Sequence, residues 1–370
     1  MVTALACCQS GEVNGSTVQP QRFRSLDAWR GICALIVAAM HFHTTGYIHS
    51  SALVQRAGRF VDFFFVLSGF VISHAYRQLL QNGGGWSFLT KRVGRLWPLH
   101  LVTLAITVLM ATGGSLLGLT VQGFVYSAIP ANITMTHSWG FLDRLTWNGP
   151  SWSISTEMFA YILFAILCWL RSIWLDVACA MILVGSLLLL TFVAPDFDST
   201  YDFGVARCLV GFMAGVLANR LWELTQFRPK SEILALILTV AVVTILPERL
   251  VGLVVPLFAW TVLVFASEAG FISLFLKTRI PQLLGRISYS IYMTHYIVGL
   301  TIITGLTLFT GLVQEVEGTA TVVTAWPLAD ALSLVYLGMV VAASCLTYAW
   351  IEVPGRHWFN RRADRIPAAW

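Results

Sequence analysis

The stretch WLDVACAMILVGSLLLLTFVA, residues 174–194, decides the fold, because it runs for 21 residues with one charged side chain, Asp176. The hydrocarbon core of a bilayer needs about 20 consecutive apolar residues per helical crossing. Within lipid, a segment must satisfy its own backbone hydrogen bonds, which a helix does. The stretch therefore predicts a transmembrane helix.

Similar apolar runs recur along the whole chain. Its 370 residues are 57% hydrophobic and only 11% charged, which is far outside the range of soluble globular domains. This length accommodates about ten spans and no sizeable soluble domain. We predict an all-α, polytopic membrane helix bundle with about ten transmembrane helices. The predicted spans are 26–47, 59–80, 92–113, 152–170, 174–194, 203–221, 232–247, 250–268, 287–311 and 328–350.

The basic residues indicate topology. The formal net charge is +5, but the Lys and Arg side chains lie at the ends of apolar runs, so they do not indicate a nucleic-acid partner. With the N-terminus inside, about eighteen of them fall on the cytosolic side and four on the other. This bias predicts that both termini are cytosolic. The seven cysteines show no zinc-type spacing, so we expect neither disulfide nor metal.

The chain divides into three predicted parts. Residues 1–25 form a disordered cytosolic tail, 26–352 the transmembrane domain and 353–370 a basic cytosolic tail. Within the domain, the stretch 119–149 mixes apolar residues with polar and charged ones, so it is not a clean span. We expect it to be a re-entrant or interfacial segment.

Arg30 and His41 are eleven residues apart in the first predicted span, which is close to three helical turns. They would share one face, about 16 Å apart along the axis, with the small residues Ala34 and Ala38 between them. Ionisable residues within a span are costly and usually functional. The alternatives are that Arg30 anchors the helix at the interface and that His41 is a packing residue.

Arg92 and Arg95 lie on one face at the predicted start of the third span, in KRVGRLWP, residues 91–98. The free N–H groups of a helix start attract anions, and guanidinium groups suit phosphates. Together with Arg30 they predict a cytosolic anion site, and coenzyme A carries three phosphates on a long, flexible arm. The alternative is ordinary positive-inside anchoring.

The fourth predicted span begins NGPSWSISTE, residues 148–157, and runs inward, so that Glu157 lies about 8–9 Å below its outer end. This depth is comparable to that of His41, and a neighbouring carboxylate strengthens an imidazole as a base. We therefore predict that Glu157 orients His41, with Ser153 one turn earlier on the same face. The alternative is a structural pair between Glu157 and Arg207.

Two further ionisable residues lie within predicted spans. Asp62, at the outer end of the second span, either lines a substrate cleft or caps its helix. His295 falls in the inner half of the ninth span. Because this depth is too far towards the cytosol to meet an acceptor from the outer side, we expect His295 to have a packing or donor-channel role rather than a catalytic one.

Together these segments resemble the acyltransferase-3 family of membrane O-acyltransferases, over most of the chain. The matching pieces, in order, are 26–31 followed by His41, 61–70, the pair Arg92 and Arg95, Trp152 and Ser153 with Glu157, Arg207 before Gly211, and 288–292, which includes Tyr289, with His295. In that family the matching histidine is regarded as essential to transfer and the arginines as contacts for acyl-CoA. The resemblance implies these roles for His41, Arg30, Arg92 and Arg95.

The family modifies bacterial surface polysaccharides, lipopolysaccharide and some secreted metabolites, so the resemblance implies a multi-pass protein of the bacterial inner membrane. The expected reaction moves an acyl group, most readily acetyl, from cytosolic acyl-CoA to a hydroxyl of a sugar in a lipid-linked oligosaccharide or surface polysaccharide. Acetyl-CoA is then a co-substrate, and no cofactor is permanently bound. We expect the acceptor to enter between Asp62, Trp152 and the 119–149 segment. His41 acts as general base or carries the acyl group itself, a role that Ser153 or Ser155 would fill less readily.

Two other classes of function stay open. A proton-coupled transporter or flippase of a lipid-linked sugar would use His41, Glu157 and Arg207 as a proton relay, although the spans show no inverted repeat. A membrane scaffold would leave the ionisable residues within the spans without a role.

Overall fold

The computed structural model describes residues 22–116, 124–170, 173–194, 197–225, 229, 231–247 and 252–366. Most of the predicted N-terminal tail and the end of the C-terminal tail therefore lie outside the described residues. The helices of the first half are α1 Arg24–Met40, α2 Tyr47–Ser50, α3 Ala52–Gln55, α4 Phe60–Gln81, α5 Gly85–Leu116, α6 Ile129–Ile133, α7 Trp152–Leu167 and α8 Ile173–Phe192. Those of the second half are α9 Gly204–Thr225, α10 Glu232–Ile245, α11 Val254–Ala266, α12 Phe271–Leu276, α13 Arg279–Phe309, α14 Trp326–Thr347 and α15 Val353–Ala363.

The long apolar helices are those of an all-α membrane bundle, as predicted. Within the described ranges, seven helical segments are long and apolar enough to cross a membrane. They are Ala57–Gln81, Gly85–Leu116, Gly149–Leu167, Ile173–Phe192, Gly204–Thr225, Arg279–Phe309 and Trp326–Ala363. The helices α10 and α11 are apolar but shorter, and α1 has 17 residues. Each predicted span coincides with one helix, while the number that cross and the side of the termini stay predictions.

Helices α1 and α13 pack against each other at a contact that only glycine permits. A Cβ atom added at Gly31 would lie 2.3 Å from the carbonyl carbon of Leu284, and one added at Gly285 would lie 2.4 Å from the Asp27 oxygen. Farther along, the Tyr336 hydroxyl lies 3.0 Å from the Ala38 oxygen and 3.2 Å from the His295 oxygen. Residue numbers thus rise together along both helices, which run parallel.

A buried ion pair joins α4 to α9. Arg207 donates from Nε to Asp62 Oδ1 at 2.8 Å and from Nη2 to Asp62 Oδ2 at 3.0 Å, and both side chains are 1% exposed. Asp198 binds the remaining nitrogen of the same guanidinium group. Bidentate pairing of this kind fixes the geometry of both partners, so α4 and α9 hold Arg207 in one orientation.

Helix α5 begins at Gly85, seven residues before the predicted span at 92–113. Arg92 and Arg95 therefore lie seven and ten residues inside the helix, and the prediction that they sit at a helix start was wrong. The free N–H groups of the first turn are about 10 Å away from Arg92 along the axis. The cause is the turn at Gly83, with φ +84°, after which the chain enters α5 directly.

Residues 353–363 of the segment predicted as a basic tail form α15, which packs on α5. It continues from α14 through a π-helical turn, Tyr348–Glu352. The close approach is at Gly94, where an added Cβ would lie 2.2 Å from Phe359 Cβ. As a result, side chains from the end of the chain reach the inner part of the bundle.

The described part of the predicted re-entrant segment, 124–148, contains short turns and α6 but no helix long enough to cross. Two buried histidines anchor it: the rings of His100 on α5 and His137 stack with centroids 5.6 Å apart. His137 Nε2 lies 3.1 Å from Ser151 Oγ. Burial lowers the pKa of His137 to about 3, so the ring is neutral and its hydrogen bond holds the segment against the start of α7.

An unpredicted β-hairpin consists of β1 Val313–Val316 and β2 Thr319–Val322. Glu317 and Gly318 form its two-residue turn with φ values of +51° and +75°, as in the common tight hairpins. Val322 N donates to the His43 oxygen at 2.9 Å, and Thr45 N donates to the Val322 oxygen at 3.1 Å. The hairpin thereby holds the chain just after α1. Helix α1 ends at Met40, and His41 caps it rather than lying within it.

Candidate active site

An arginine-rich cavity of about 470 Å³, here called the arginine cavity, lies between α1, α4, α5, α7 and α13. Its charged lining residues are Arg22, Arg30, Arg92, Arg95, Arg286, Arg356, Asp27 and Glu157. Six guanidinium groups face two carboxylates, so the cavity attracts anions. The sequence grouped Arg30, Arg92 and Arg95 into one anion site, and the structure brings these three together.

The three predicted arginines differ in how they are held. Arg30 donates from Nε to Ser288 Oγ at 2.7 Å and from Nη2 to the Gly285 oxygen at 3.1 Å. Arg92 donates to Tyr76 Oη at 2.9 Å. Arg95 donates to no other described residue, although it lines the cavity. Of these three, Arg95 is therefore the one whose donors are free to bind an anionic ligand.

Arg356, from α15, lines the cavity and was not among the predicted site residues. It pairs with the buried carboxylate of Glu352, which also accepts a hydrogen bond from Ser290 Oγ at 2.9 Å. A smaller polar cavity of about 290 Å³ extends the site towards α15 and shares Arg92, Arg95 and Arg356 with the first. The sequence does contain a signal for Arg356: Glu352 precedes it by four residues, directly after an apolar run, which is the spacing of a helical ion pair.

Glu157 lies in the arginine cavity and not beside His41. Its Oε1 accepts hydrogen bonds from Ser68 Oγ at 2.5 Å and from Tyr161 Oη at 2.6 Å. The predicted orientation of His41 by Glu157 is therefore wrong, and so is the alternative pairing of Glu157 with Arg207. Equal depth does not bring two residues together when their side chains face different cavities.

A second cavity of about 350 Å³, here called the histidine cavity, contains His41 and has aromatic walls. The aromatic lining residues are Phe124, Trp147, Trp152, Tyr292 and Tyr296. Its charged residues are Arg207 and Asp198, which are paired with each other. Apolar and aromatic walls with a few fixed polar groups are typical of sites for small uncharged ligands.

The hydrogen bond of His41 defines which of its nitrogens is the base. Nδ1 lies 2.9 Å from the Val37 carbonyl oxygen. Because a carbonyl only accepts, Nδ1 carries the proton, and Nε2 keeps its lone pair in the neutral ring. His41 lines the histidine cavity, so this lone pair belongs to a side chain that a ligand can reach.

His295 lies beside His41, with ring centroids 4.8 Å apart. Its Nδ1 is 3.2 Å from the Ile291 oxygen, and its buried Nε2 has no partner among the described residues. This contact places His295 at the level of His41 along the bundle, and not in the inner half of its span as predicted, while its packing role stays a prediction. Helix α13 begins at Arg279 rather than at 287, so His295 lies about 12 Å farther from the start of its helix than predicted.

Asp62 lines neither cavity and serves instead to hold Arg207. The guanidinium group of Arg207 in turn lies over the ring of Trp152, 5.3 Å from its centroid. Asp62 is therefore a supporting residue of the histidine cavity. In the described part of the chain, no group of three or more His, Cys, Asp or Glu side chains is arranged to hold a metal ion.

The two cavities share Val61 and Tyr292 as lining residues. Ser153 Oγ, on the arginine-cavity side, donates a hydrogen bond to Tyr292 Oη at 2.8 Å. Tyr289, one turn earlier on α13, donates to the Leu96 oxygen at 2.5 Å and lines the arginine cavity. A ligand that passes Val61 and Tyr292 would move from the cationic cavity into the one that contains His41.

Comparison with known proteins gives one family and two relatives. The acyltransferase-3 family model, described as an acyltransferase domain, matches residues 23–351. Protein 2 in the picA locus of Rhizobium radiobacter is 39% identical over 90 residues, which are 24% of this chain and 44% of that protein. Acyltransferase MdmB of Streptomyces mycarofaciens is 27% identical over 224 residues, which are 54% of this chain and 52% of that protein. The chain thus spans about half the length of the curated relatives it matches, and no solved structure matches it.

Proposed function

This chain belongs to the acyltransferase-3 family, and from that premise we propose that it transfers an acyl group from acyl-CoA to a hydroxyl group of a sugar-type acceptor. The observation that carries the proposal is the pair of cavities with opposite character and a shared wall at Val61 and Tyr292. One cavity suits a polyanionic donor, and the other suits an uncharged acceptor. A two-substrate transfer needs both sites to meet at the reacting bond.

The donor occupies the arginine cavity in this proposal. The phosphates of coenzyme A bind Arg92, Arg95 and Arg356, where guanidinium groups cluster, and the pantetheine arm follows α1 past Arg30. The eleven residues from Arg30 to His41 correspond to about 16 Å along the axis, a distance that the arm is long enough to cover. Acetyl-CoA is the donor we favour.

The acceptor occupies the histidine cavity. A sugar ring would contact the aromatic walls at Trp152 and Trp147, because a tryptophan side chain offers a large apolar face and one polar N–H group. Arg207 and Asp198 are the charged groups of this cavity, and each can form hydrogen bonds with hydroxyls. We propose a lipid-linked oligosaccharide or a surface polysaccharide as the acceptor, reached from the outer face of the bacterial inner membrane, with both chain termini cytosolic.

His41 is the proposed general base. Its Nε2 removes the proton of the acceptor hydroxyl as the oxygen bonds to the thioester carbon, and the departing thiolate of coenzyme A then takes up that proton. In a variant route, the acyl group rests on His41 Nε2 before transfer. Glu157, with Ser68 and Tyr161, forms the polar floor under the donor arm in this account.

The test uses purified protein in detergent, acetyl-CoA labelled in its acetyl group and a panel of lipid-linked sugars. We expect label in the glycan with the wild type and with His43→Ala, whose side chain lines neither cavity. His41→Ala should give about 10³-fold less. Equal transfer by His41→Ala and wild type would remove His41 from the mechanism, and transport of the sugar without consumption of acetyl-CoA would contradict the proposed enzyme.

A further inference from the structure

Tyr292 stands at the one wall that both substrates would share. Its side chain is 7% exposed and lines the arginine cavity and the histidine cavity alike. The ring packs edge-on to Phe64, with centroids 6.0 Å apart, and its centroid is 5.8 Å from that of His295. Since Tyr292 and His295 are three residues apart on α13, they share a helix face. The phenol is thus fixed on the same side as the two imidazoles.

The hydroxyl of Tyr292 still has its own proton to donate. Ser153 Oγ has two acceptors within reach, the Tyr292 oxygen at 2.8 Å and the Pro150 oxygen at 3.3 Å. It donates its one proton over the shorter distance, so the Tyr292 oxygen already accepts one hydrogen bond. Tyr292 donates to no acceptor among the described residues. A phenol can accept and donate at once, and a bond accepted at its oxygen makes its O–H a stronger donor. This leaves an unused O–H donor at the boundary between the cavities.

The other polar groups beside this boundary are already engaged in hydrogen bonds or ion pairs. His41 and His295 both carry their proton on Nδ1, where each donates to a backbone carbonyl. Ser153 gives its proton to Tyr292, and Arg207 is held by two aspartates. Of the described polar side chains around the shared wall, Tyr292 alone combines a free O–H with access to both cavities.

We infer that the Tyr292 hydroxyl is the oxyanion donor of the transfer reaction, an inference that rests on the proposed function. Attack of the acceptor oxygen on the thioester carbon moves the carbonyl π electrons onto the carbonyl oxygen, while the hydroxyl proton goes to His41 Nε2. The O–H of Tyr292 donates to the resulting oxyanion. When the C–O bond re-forms its double bond, the C–S bond breaks, and the coenzyme A thiolate takes the proton from His41.

Tyr292→Phe tests this inference, because it keeps the ring and its packing and removes only the donor. Loss of one oxyanion donor lowers kcat by about 10²–10³-fold, and we expect that loss with the KM for acetyl-CoA changed by less than about threefold. Ser153→Ala keeps the donor but removes its support, so kcat should fall by about five- to tenfold. Tyr336→Phe is the matched control: its buried hydroxyl bonds to backbone oxygens of Ala38 and His295. This control should lower the melting temperature and leave kcat within about threefold.

A sulfur-substituted donor separates chemistry from structure. In dithioacetyl-CoA the reacting carbonyl oxygen is replaced by sulfur, which accepts hydrogen bonds weakly. The cost of Tyr292→Phe should therefore shrink from about 10²-fold or more with acetyl-CoA to below about tenfold with the dithioester. An equal cost on both donors, or a Tyr292→Phe enzyme as fast as wild type on acetyl-CoA, would overturn the inference alone. Absence of acetyl transfer by the wild type would overturn the proposed function and the inference with it.

Discussion

The arginine cavity and the histidine cavity differ in how their charges are paired. In the first, six arginines face two carboxylates, and Arg95 has no hydrogen-bond partner among the described residues. In the second, Arg207 is bound by two aspartates, and His41 keeps a lone pair on a neutral ring. An unpaired cation recognises its ligand by charge, whereas a paired one shapes the wall without adding net charge. Changes in one cavity should therefore affect one substrate, and changes at the shared wall should affect the reaction.

The largest effect should come from His41. We expect His41→Ala to lower kcat by about 10³-fold, because a positioned general base contributes about 10²–10⁴-fold to a proton-transfer step. Binding of acetyl-CoA, measured by equilibrium dialysis with the purified protein, should be unchanged. A kcat within tenfold of wild type would show that the base lies elsewhere.

Removing the central guanidinium groups should weaken donor binding and leave the acceptor alone. We expect Arg92→Ala combined with Arg95→Ala to raise the KM for acetyl-CoA by about a hundredfold or more, because each charge-assisted hydrogen bond contributes about 1.5–3 kcal/mol. The acceptor KM should change by less than about threefold.

Acetyl-pantetheine, which has no nucleotide phosphates, is the matched donor for this double variant. Wild type and variant should use it equally well, since the arginines then have no phosphate to bind. A donor KM that the double substitution leaves unaltered with acetyl-CoA would move the phosphate site to another part of the protein.

Arg356 should have a smaller effect on the same cavity. Arg356 is already paired with Glu352, so its ion pair with that carboxylate must weaken when it binds a phosphate, and the net gain in donor binding is smaller. We therefore expect Arg356→Ala to raise the KM for acetyl-CoA by about tenfold. Arg361→Ala, exposed on the same helix and outside the cavity lining, is the control and should change it by less than twofold. Equal values for the two variants would remove α15 from the donor site.

The smallest of these effects should come from ionic strength, which should change donor binding and leave acceptor binding unchanged. Raising ionic strength from about 0.05 M to about 0.5 M shortens the Debye length from about 14 Å to about 4 Å, which screens the attraction between phosphates and arginines. The KM for acetyl-CoA should rise a few-fold, while the acceptor KM stays constant. A parallel rise of both KM values would indicate that the acceptor also binds by charge.

Hydropathy predicted the fold because lipid leaves a buried backbone few alternatives to a helix. The places where it misled are helix starts. Helices α5 and α13 begin several residues before their apolar runs, since polar residues continue a helix beyond the lipid core. Because of the earlier starts, Arg92 and Arg95 lie in the interior of α5, and His295 lies far enough along α13 to contact His41.

The site could be predicted residue by residue but not as an arrangement. Arg30, Arg92, Arg95 and His41 carry chemistry that is rare within spans, so their residue types drew attention. Which cavity Glu157 faces depends on how α7 is rotated against α4, and a single sequence gives depth along an axis but not that rotation. Contacts between distant segments, such as α15 on α5, leave no periodic signal.

The most direct test is a structure of the protein with acetonyl-CoA, in which a methylene group between sulfur and carbonyl prevents transfer. We expect the phosphates to lie against Arg92, Arg95 and Arg356. The carbonyl should lie at the wall formed by Val61 and Tyr292, facing His41. Phosphates bound away from these arginines, or a carbonyl that stays on the arginine side without reaching Tyr292, would contradict this placement.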